Sequence, residues 1–210
     1  MKTVLDSQLI ILKNNISEMA LLCEQALTKA MRSLSEGDVS LAKEIIAYDE
    51  HINNMEKEIQ SLCYSLLVRQ HPVASDFRFL SASLKIVTDL ERIGDYATDI
   101  SEIVIEYSHE DFVYQKQLVK MCKDVIIMLK DVIESLMSMD ETLADQVINY
   151  DDNIDNALLN LKLQLVNDMI NIEDYHESLL DAFMIAKYFE RCGDRCVNIA
   201  KSVIFFKTGQ

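Results

Sequence analysis

The sequence predicts an all-α protein built as a tandem repeat of two three-helix bundles, with six long helices in all. Three observations carry that prediction. One proline and four glycines stand in 210 residues, half of which are hydrophobic. So few breakers leave few turns, which favours long helices over many short strands. Apolar residues recur at alternating steps of four and three, the spacing of a bundle seam. The second half of the chain then repeats the first.

The first helix places Leu5, Leu9, Leu12, Ile16, Met19, Cys23, Ala26 and Ala30 on one seam and ends near Leu34. Gly37 is positioned to cap its C-terminus and Asp38 to cap the next N-terminus. The second helix carries Ala42, Ile45, Ile52, Ile59, Cys63 and Leu66. It stops before His71-Pro72, because a residue preceding proline avoids helical geometry. Ser75-Asp76 restarts the chain, and a third helix runs to about Tyr107. A shift of 102 carries Ile16, Met19, Cys23 and Ala26 onto Leu118, Met121, Val125 and Met128. The same shift carries Ala42 onto Ala144 and Tyr48-Asp49 onto Tyr150-Asp151. In the third helix the shift is 99, so one loop of the second half is three residues shorter. The two bundles divide at residues 1–109 and 110–210.

The formal net charge of −15 opposes binding to nucleic acid and favours cationic partners or metal ions. No apolar run approaches the roughly 20 residues of a membrane span, so no direct membrane insertion is expected. Asp6 and the helical spacing around it argue against a signal peptide. Cys23, Cys63, Cys122, Cys192 and Cys196 occupy core-like positions. They read as reduced thiols of a cytoplasmic protein, with Cys192 and Cys196 as core residues before metal ligands.

Glu91/Asp95, Glu190/Asp194 and Asp151/Asp155 each pair two acids four residues apart; Asp49/Asn53 is a weaker version. Such residues lie one above the other on a helix face, where two carboxylates repel unless a cation sits between them. Antiparallel hairpin register sets Asp49 opposite Asp95 and Asn53 opposite Glu91. In the second half it sets Asp151 opposite Asp194 and Asp155 opposite Glu190. Hard oxygen ligands of this kind suit Mg, Mn, Fe or Ca, and Zn less specifically. On the helical wheel Glu91, Asp95 and Asp99 lie away from the apolar axis, as do Glu190, Asp194 and Asn198. The acidic stripe is therefore expected to border solvent in a surface groove. Gly94 and Gly193 sit inside both helices at a cost of about 1 kcal/mol each relative to alanine, which close approach of a neighbour would offset. Spacing and duplication leave two readings open, a metal site and a solvated acidic face.

The stretches EIIAYDEHIN, RQHPVASDFR and SLKIVTDLERIGDYATDISE, followed by AKYFERCGDRCVNIAK, resemble the PhoU family of bacterial phosphate-transport accessory and regulatory proteins. The resemblance spans nearly the whole chain. It implies paired three-helix bundles whose acidic motifs bind multinuclear metal clusters at the surface. The implied metal residues are Glu91, Asp95, Asp99, Glu190, Asp194 and Asn198, with Asp49, Asp151 and Asp155 beside them, and the implied metals are Fe, Zn, Mn or Mg. It also implies a non-enzymatic, cytoplasmic homodimer that restrains phosphate uptake and phosphate-starvation signalling. Its implied partners are the phosphate transporter ATPase subunit and a sensor histidine kinase, through which it reaches the membrane. Asn53, Asn198 and Lys201 depart from the acidic pattern of the repeat and make the two sites unequal. Arg92 and Arg191 read as charges that balance the acids, ahead of contacts to a partner.

Two rivals stand beside this reading. A metal-free helical adaptor would use the acidic face to hold basic partners. A di-iron carboxylate enzyme would need Glu-x-x-His on core positions. Glu106/His109 and Glu173/His176 have that spacing, but they fall at helix ends and are not repeat equivalents. The apoprotein is expected to bind phosphate weakly or not at all.

Overall fold

Six helices follow in chain order: α1 (Val4–Glu36), α2 (Val39–Arg69), α3 (Ala74–Glu106), α4 (Gln115–Ser138), α5 (Glu141–Asn171) and α6 (His176–Thr208). The structure is a computed structural model that describes residues 4–70, 72–106, 113–171 and 176–209. No strand occurs among the described residues. Of the di-iron candidates, His109 and Glu173 lie outside the described residues, as does the side chain of His176.

The helix ends follow the local chemistry of the chain. Gly37 takes a left-handed φ of 63°, open to glycine without steric cost. Asp38 then caps α2, its Oδ1 accepting the Leu41 N–H at 3.0 Å, an interaction typically worth about 1 kcal/mol. The second half repeats the device with different residues. Met139 takes φ 58° at the end of α4, and Asp140 Oδ1 accepts the Leu143 N–H at 3.2 Å. A methionine in the left-handed region costs about 1 kcal/mol that glycine would not. α2 ends at Arg69, before His71-Pro72 as expected, and α3 begins one residue earlier than Ser75.

Each half is a three-helix unit. α2 touches α1 and α3, and α5 touches α4 and α6. The halves meet through α3 against α6 and α1 against α4, which leaves α2 and α5 on the outside. Contact between α3 and α6 is as extensive as that within either hairpin. One hydrophobic cluster runs through both halves, from Leu12, Ile16 and Met19 of α1 to Phe189, Cys192 and Ile199 of α6. Each fully buried aliphatic or aromatic side chain of this kind contributes roughly 1.5–3 kcal/mol. No helix among the described residues is long and apolar enough to cross a membrane.

All five cysteines are free and buried. Burial pushes the thiols up, those of Cys63 and Cys122 to about 12, so they stay protonated at neutral pH. Cys192 and Cys196 are fully buried core residues, as their spacing suggested.

Candidate metal centres in the two hairpins

The antiparallel register of α2 on α3 is fixed by side-chain bonds between the helices. The Thr88 hydroxyl donates to Glu56 Oε1 at 3.0 Å. One turn further along, Gly94 faces Ile52 and Asp49. A Cβ added at Gly94 would lie 2.9 Å from Ile52 Cδ1 and 3.6 Å from Asp49 Oδ1. At the equivalent Gly193 it would lie 2.6 Å from Asp151 Oδ1. The close approach expected from these glycines therefore comes from the outer helix of the same hairpin. In the second half the glycine leaves a seat in which the Asp151 carboxylate rests against the inner helix, whereas in the first half Gly94 makes room chiefly for Ile52, with Asp49 Oδ1 at ordinary contact distance beside it.

Asp49 Oδ1 and Asp151 Oδ1, which are repeat equivalents, are buried without a well-formed hydrogen bond, as are Asn53 Oδ1, Glu190 Oε2 and the Thr98 hydroxyl. Thr98 lies near enough to Asp49 to hold its carboxyl down in part. A buried polar atom left unpaired costs roughly 1–3 kcal/mol, more if charged. Here the penalty recurs at matching positions of both repeats.

The inner-helix acids are more covered than the wheel implies. The Glu91 side chain is 19% exposed, Asp95 30% and Glu190 13%. The hairpin partner shields one side of each, which a wheel of a single helix cannot register. Asp155 and Asp194 are exposed, so the second cluster opens to solvent on one side, whereas Asp49, Asn53, Glu91 and Asp95 of the first are all half-buried.

Charge sets the two clusters apart. In the first, Asn53 Nδ2 donates to Asp49 Oδ2 at 2.7 Å and satisfies one carboxylate oxygen. Asp49 is still raised above the usual carboxylate range, by burial first and by Asp95 second. Burial and Asp95 likewise raise Glu91, while Arg92 opposes the shift. Arg92 lies 3.5 Å from Glu91 and 3.0 Å from Asp95, the balancing role read from sequence. In the second cluster Asp155 replaces Asn53 and, when ionised, cannot donate. Burial, then Asp155, Asp194, Glu190 and Asp152, push Asp151 up to about 6. Lys187 offsets part of this, its Nζ 2.5 Å from Glu190 Oε1. The second hairpin thus holds more uncompensated negative charge.

The third positions of the two motifs reach the junction of the halves. Asn198 faces Asp89 across the α3–α6 seam and borders a groove with Lys85 and Lys201. Asp99 acts on Tyr188 and feels Arg191, both on α6, although Asp95 and Asp49 also raise it. These two residues sit at the junction of the halves.

That junction holds a network the sequence reading missed. Asp89 Oδ1 accepts from Arg195 Nη1 at 3.2 Å, and Arg195 Nη2 donates to the Tyr96 hydroxyl at 3.4 Å. The Tyr96 and Tyr188 rings stack at 5.9 Å, with the Arg191 guanidinium 6.0 Å from each centroid. Arg191 thus packs at the seam while also partly balancing Asp99. The shift of 99 that relates the halves carries Asp89 onto Tyr188 and Tyr96 onto Arg195. The salt bridge and the tyrosine stack are therefore the two mates of one pseudo-twofold contact. The signal available in sequence was Arg195, a charge aligned with Tyr96 on an otherwise apolar face.

Every side chain of the two clusters offers carboxylate or amide oxygen, a donor set suited to hard cations. The unbonded Asp49, Asp151 and Glu190 oxygens are placed to receive one. Among the described residues, no three His, Cys, Asp or Glu side chains are grouped as they would be around a bound ion. Closing on a cation would thus take rotamer changes at the exposed members, Asp155 and Asp194.

A duplicated three-helix unit with an acidic cluster in the hairpin of each copy defines the class, a tandem-repeat helical-bundle protein. The PhoU domain matches residues 16–104 and again 118–203. The chain belongs to the PhoU family. It is 32% identical over 213 residues to a phosphate-specific transport system accessory protein PhoU homolog of Clostridium acetobutylicum, covering 100% of this chain and 96% of that protein. It is 30% identical over 206 residues to the phosphate-specific transport system accessory protein PhoU of Escherichia coli K12, covering 98% and 86%. The crystal structure of PhoU from Pseudomonas aeruginosa superposes with a TM-score of 0.93 at 28% identity, covering 98% of this chain and 99% of that one. The phosphate transport system regulatory protein PhoU from Streptococcus pneumoniae gives 0.92 at 26% identity, covering 98% of each.

Proposed function

We propose that the chain is a non-enzymatic negative regulator of phosphate uptake and phosphate-starvation signalling. In this reading it is a cytoplasmic homodimeric adaptor between the phosphate transporter ATPase subunit and a sensor histidine kinase. One observation carries the proposal: the chain aligns over its full length with relatives named as accessory proteins of phosphate-specific transport.

The clusters supply the regulatory chemistry. Asp49, Glu91 and Asp95 would hold a cation in the first hairpin, and Asp151, Asp155, Glu190 and Asp194 in the second. Asp99 and Asn198 border these sites from the seam. A bound Fe, Zn, Mn or Mg ion would neutralise the carboxylates and tie the outer helix of each hairpin to the inner one. Gly94 and Gly193 keep Asp49 and Asp151 within reach, and Asn53 lowers the demand for charge in the first site. A metal-free adaptor is the second reading, in which the same acidic face would hold basic partners directly.

Deleting the gene should derepress phosphate uptake in phosphate-rich medium, and the intact gene supplied in trans should restore repression. Unaltered uptake in the deletion strain would contradict the regulatory role.

A further inference from the structure

α1 and α4 leave between them a groove of about 810 Å³. Its apolar surface comes from Ala20, Leu21, Leu129, Ile133 and Met137. Leu129 is fully covered and forms the floor, whereas Leu21 stands 50% exposed on one wall. The rim carries Glu18, Glu24 and Glu134 against a single lysine, Lys130. That lysine is already engaged, its Nζ 3.0 Å from Glu24 Oε1. Its lining spans residues 14–24 of α1 and 129–137 of α4. At 1.5 Å per residue the groove is roughly 12–15 Å long, enough for between two and three turns of a guest helix.

Charge decides the occupant. A second copy laid groove to groove would set Glu18 and Glu134 against the same acidic residues of its mate, so a homodimer would use another face. A guest rich in lysine or arginine meets the opposite situation, with field and rim both attractive. An apolar trough between two helices suits an amphipathic helix laid face down, anchored at positions one turn apart.

We propose that the α1–α4 groove takes a cationic amphipathic helix of a partner protein, its apolar face on Leu21, Ile133 and Met137 and its basic flanks on Glu18 and Glu134. The adaptor reading supplies the existence of a partner, and the groove supplies that partner's chemistry. The experiment below uses purified protein, so it can fail while control of phosphate uptake stands, and the reverse.

The probe is a fluorescent leucine–lysine amphipathic peptide of about 16 residues, long enough to cover the groove, with a leucine–glutamate twin. Titrated against the full chain by anisotropy, the lysine peptide binds at least about tenfold more tightly than its twin. Leu21→Lys with Ile133→Lys weakens binding about tenfold, while Leu163→Lys with Val166→Lys, the same charge change on exposed α5 positions, leaves it within about twofold. Glu18→Gln with Glu134→Gln, which leaves the apolar surface intact, weakens it by about threefold or more. Equal losses in the α1–α4 and α5 variants would show diffuse charge attraction and overturn the proposal, as would absence of binding. Sedimentation supplies a further outcome. Self-association of the chain alone, abolished by Leu21→Lys with Ile133→Lys, would make the occupant a second copy and overturn the cationic helix.

Discussion

Replacing Arg195 with alanine should destabilise the protein by about 3 kcal/mol, because it strands a nearly buried aspartate without its counter-charge. Asp89 is 12% exposed in its side chain and has Arg195 as its ion-pair partner. Burial already raises the Asp89 carboxyl above its usual range, and the arginine only partly offsets this. The pair as a whole therefore adds little stability over apolar residues, although losing one member is costly. Two results follow in urea unfolding. Arg195→Ala lowers the midpoint strongly, while Asp89→Leu combined with Arg195→Leu falls within about 1 kcal/mol of the parent. A single-variant loss below about 1 kcal/mol would mean that the halves are held by apolar contact alone. The same mutation also removes the Arg195 bond to Tyr96, so hydrogen exchange should rise first along the α3–α6 seam.

Asp151→Asn should do the opposite and stabilise the metal-free protein. Asp151 titrates near 6 in the folded chain against an ordinary value of 3.8. Between those values the folded state binds the extra proton, so stability falls as pH rises from about 3.8 to 6, and the penalty is complete above that range. Asp155, Asp194, Glu190 and Asp152 are the charges that face it, and burial is the larger cause. Discounted for solvent screening at a partly exposed position, the gain from Asp151→Asn is about 1 kcal/mol at pH 7.5. The gain should vanish near pH 4, where the native carboxyl is already protonated. Asp49→Asn should gain less, because Asn53 already donates to Asp49. Equal stabilities of parent and Asp151→Asn across pH 4–7.5 would contradict the strained cluster.

Most of the fold was legible because helix ends and seams are local. Gly37, Asp38 and His71-Pro72 mark boundaries through backbone chemistry alone, and the structure follows them within a residue or two. Both hairpin registers were legible for the same reason, since a turn position fixes what lies opposite what. The depth of the acids was not, because the cover over Glu91 and Glu190 comes from a second helix. The seam was harder still. Asp89, Tyr96, Tyr188 and Arg195 meet only because the repeats face each other about a pseudo-twofold axis. Repetition shows that two units exist but not which faces they share. Asn198 illustrates the result, since it aligns with an acidic motif and yet bonds Asp89 of the other half.

The most direct measurement is thermal unfolding of metal-stripped protein at pH 7.5, with and without excess Mn(II), for the parent and for Asp49→Asn with Asp151→Asn. At about 100-fold excess over its dissociation constant a single-site ligand adds about 2.7 kcal/mol, so the parent Tm should rise by about 5 °C or more. The double variant should start higher than the parent and rise little. Protein purified without chelator should also retain metal by elemental analysis. A parent with no retained metal and a Tm unmoved by Mn(II), Fe(II), Zn(II) or Mg(II) would contradict the metal-centre assignment and leave the clusters as an acidic docking face.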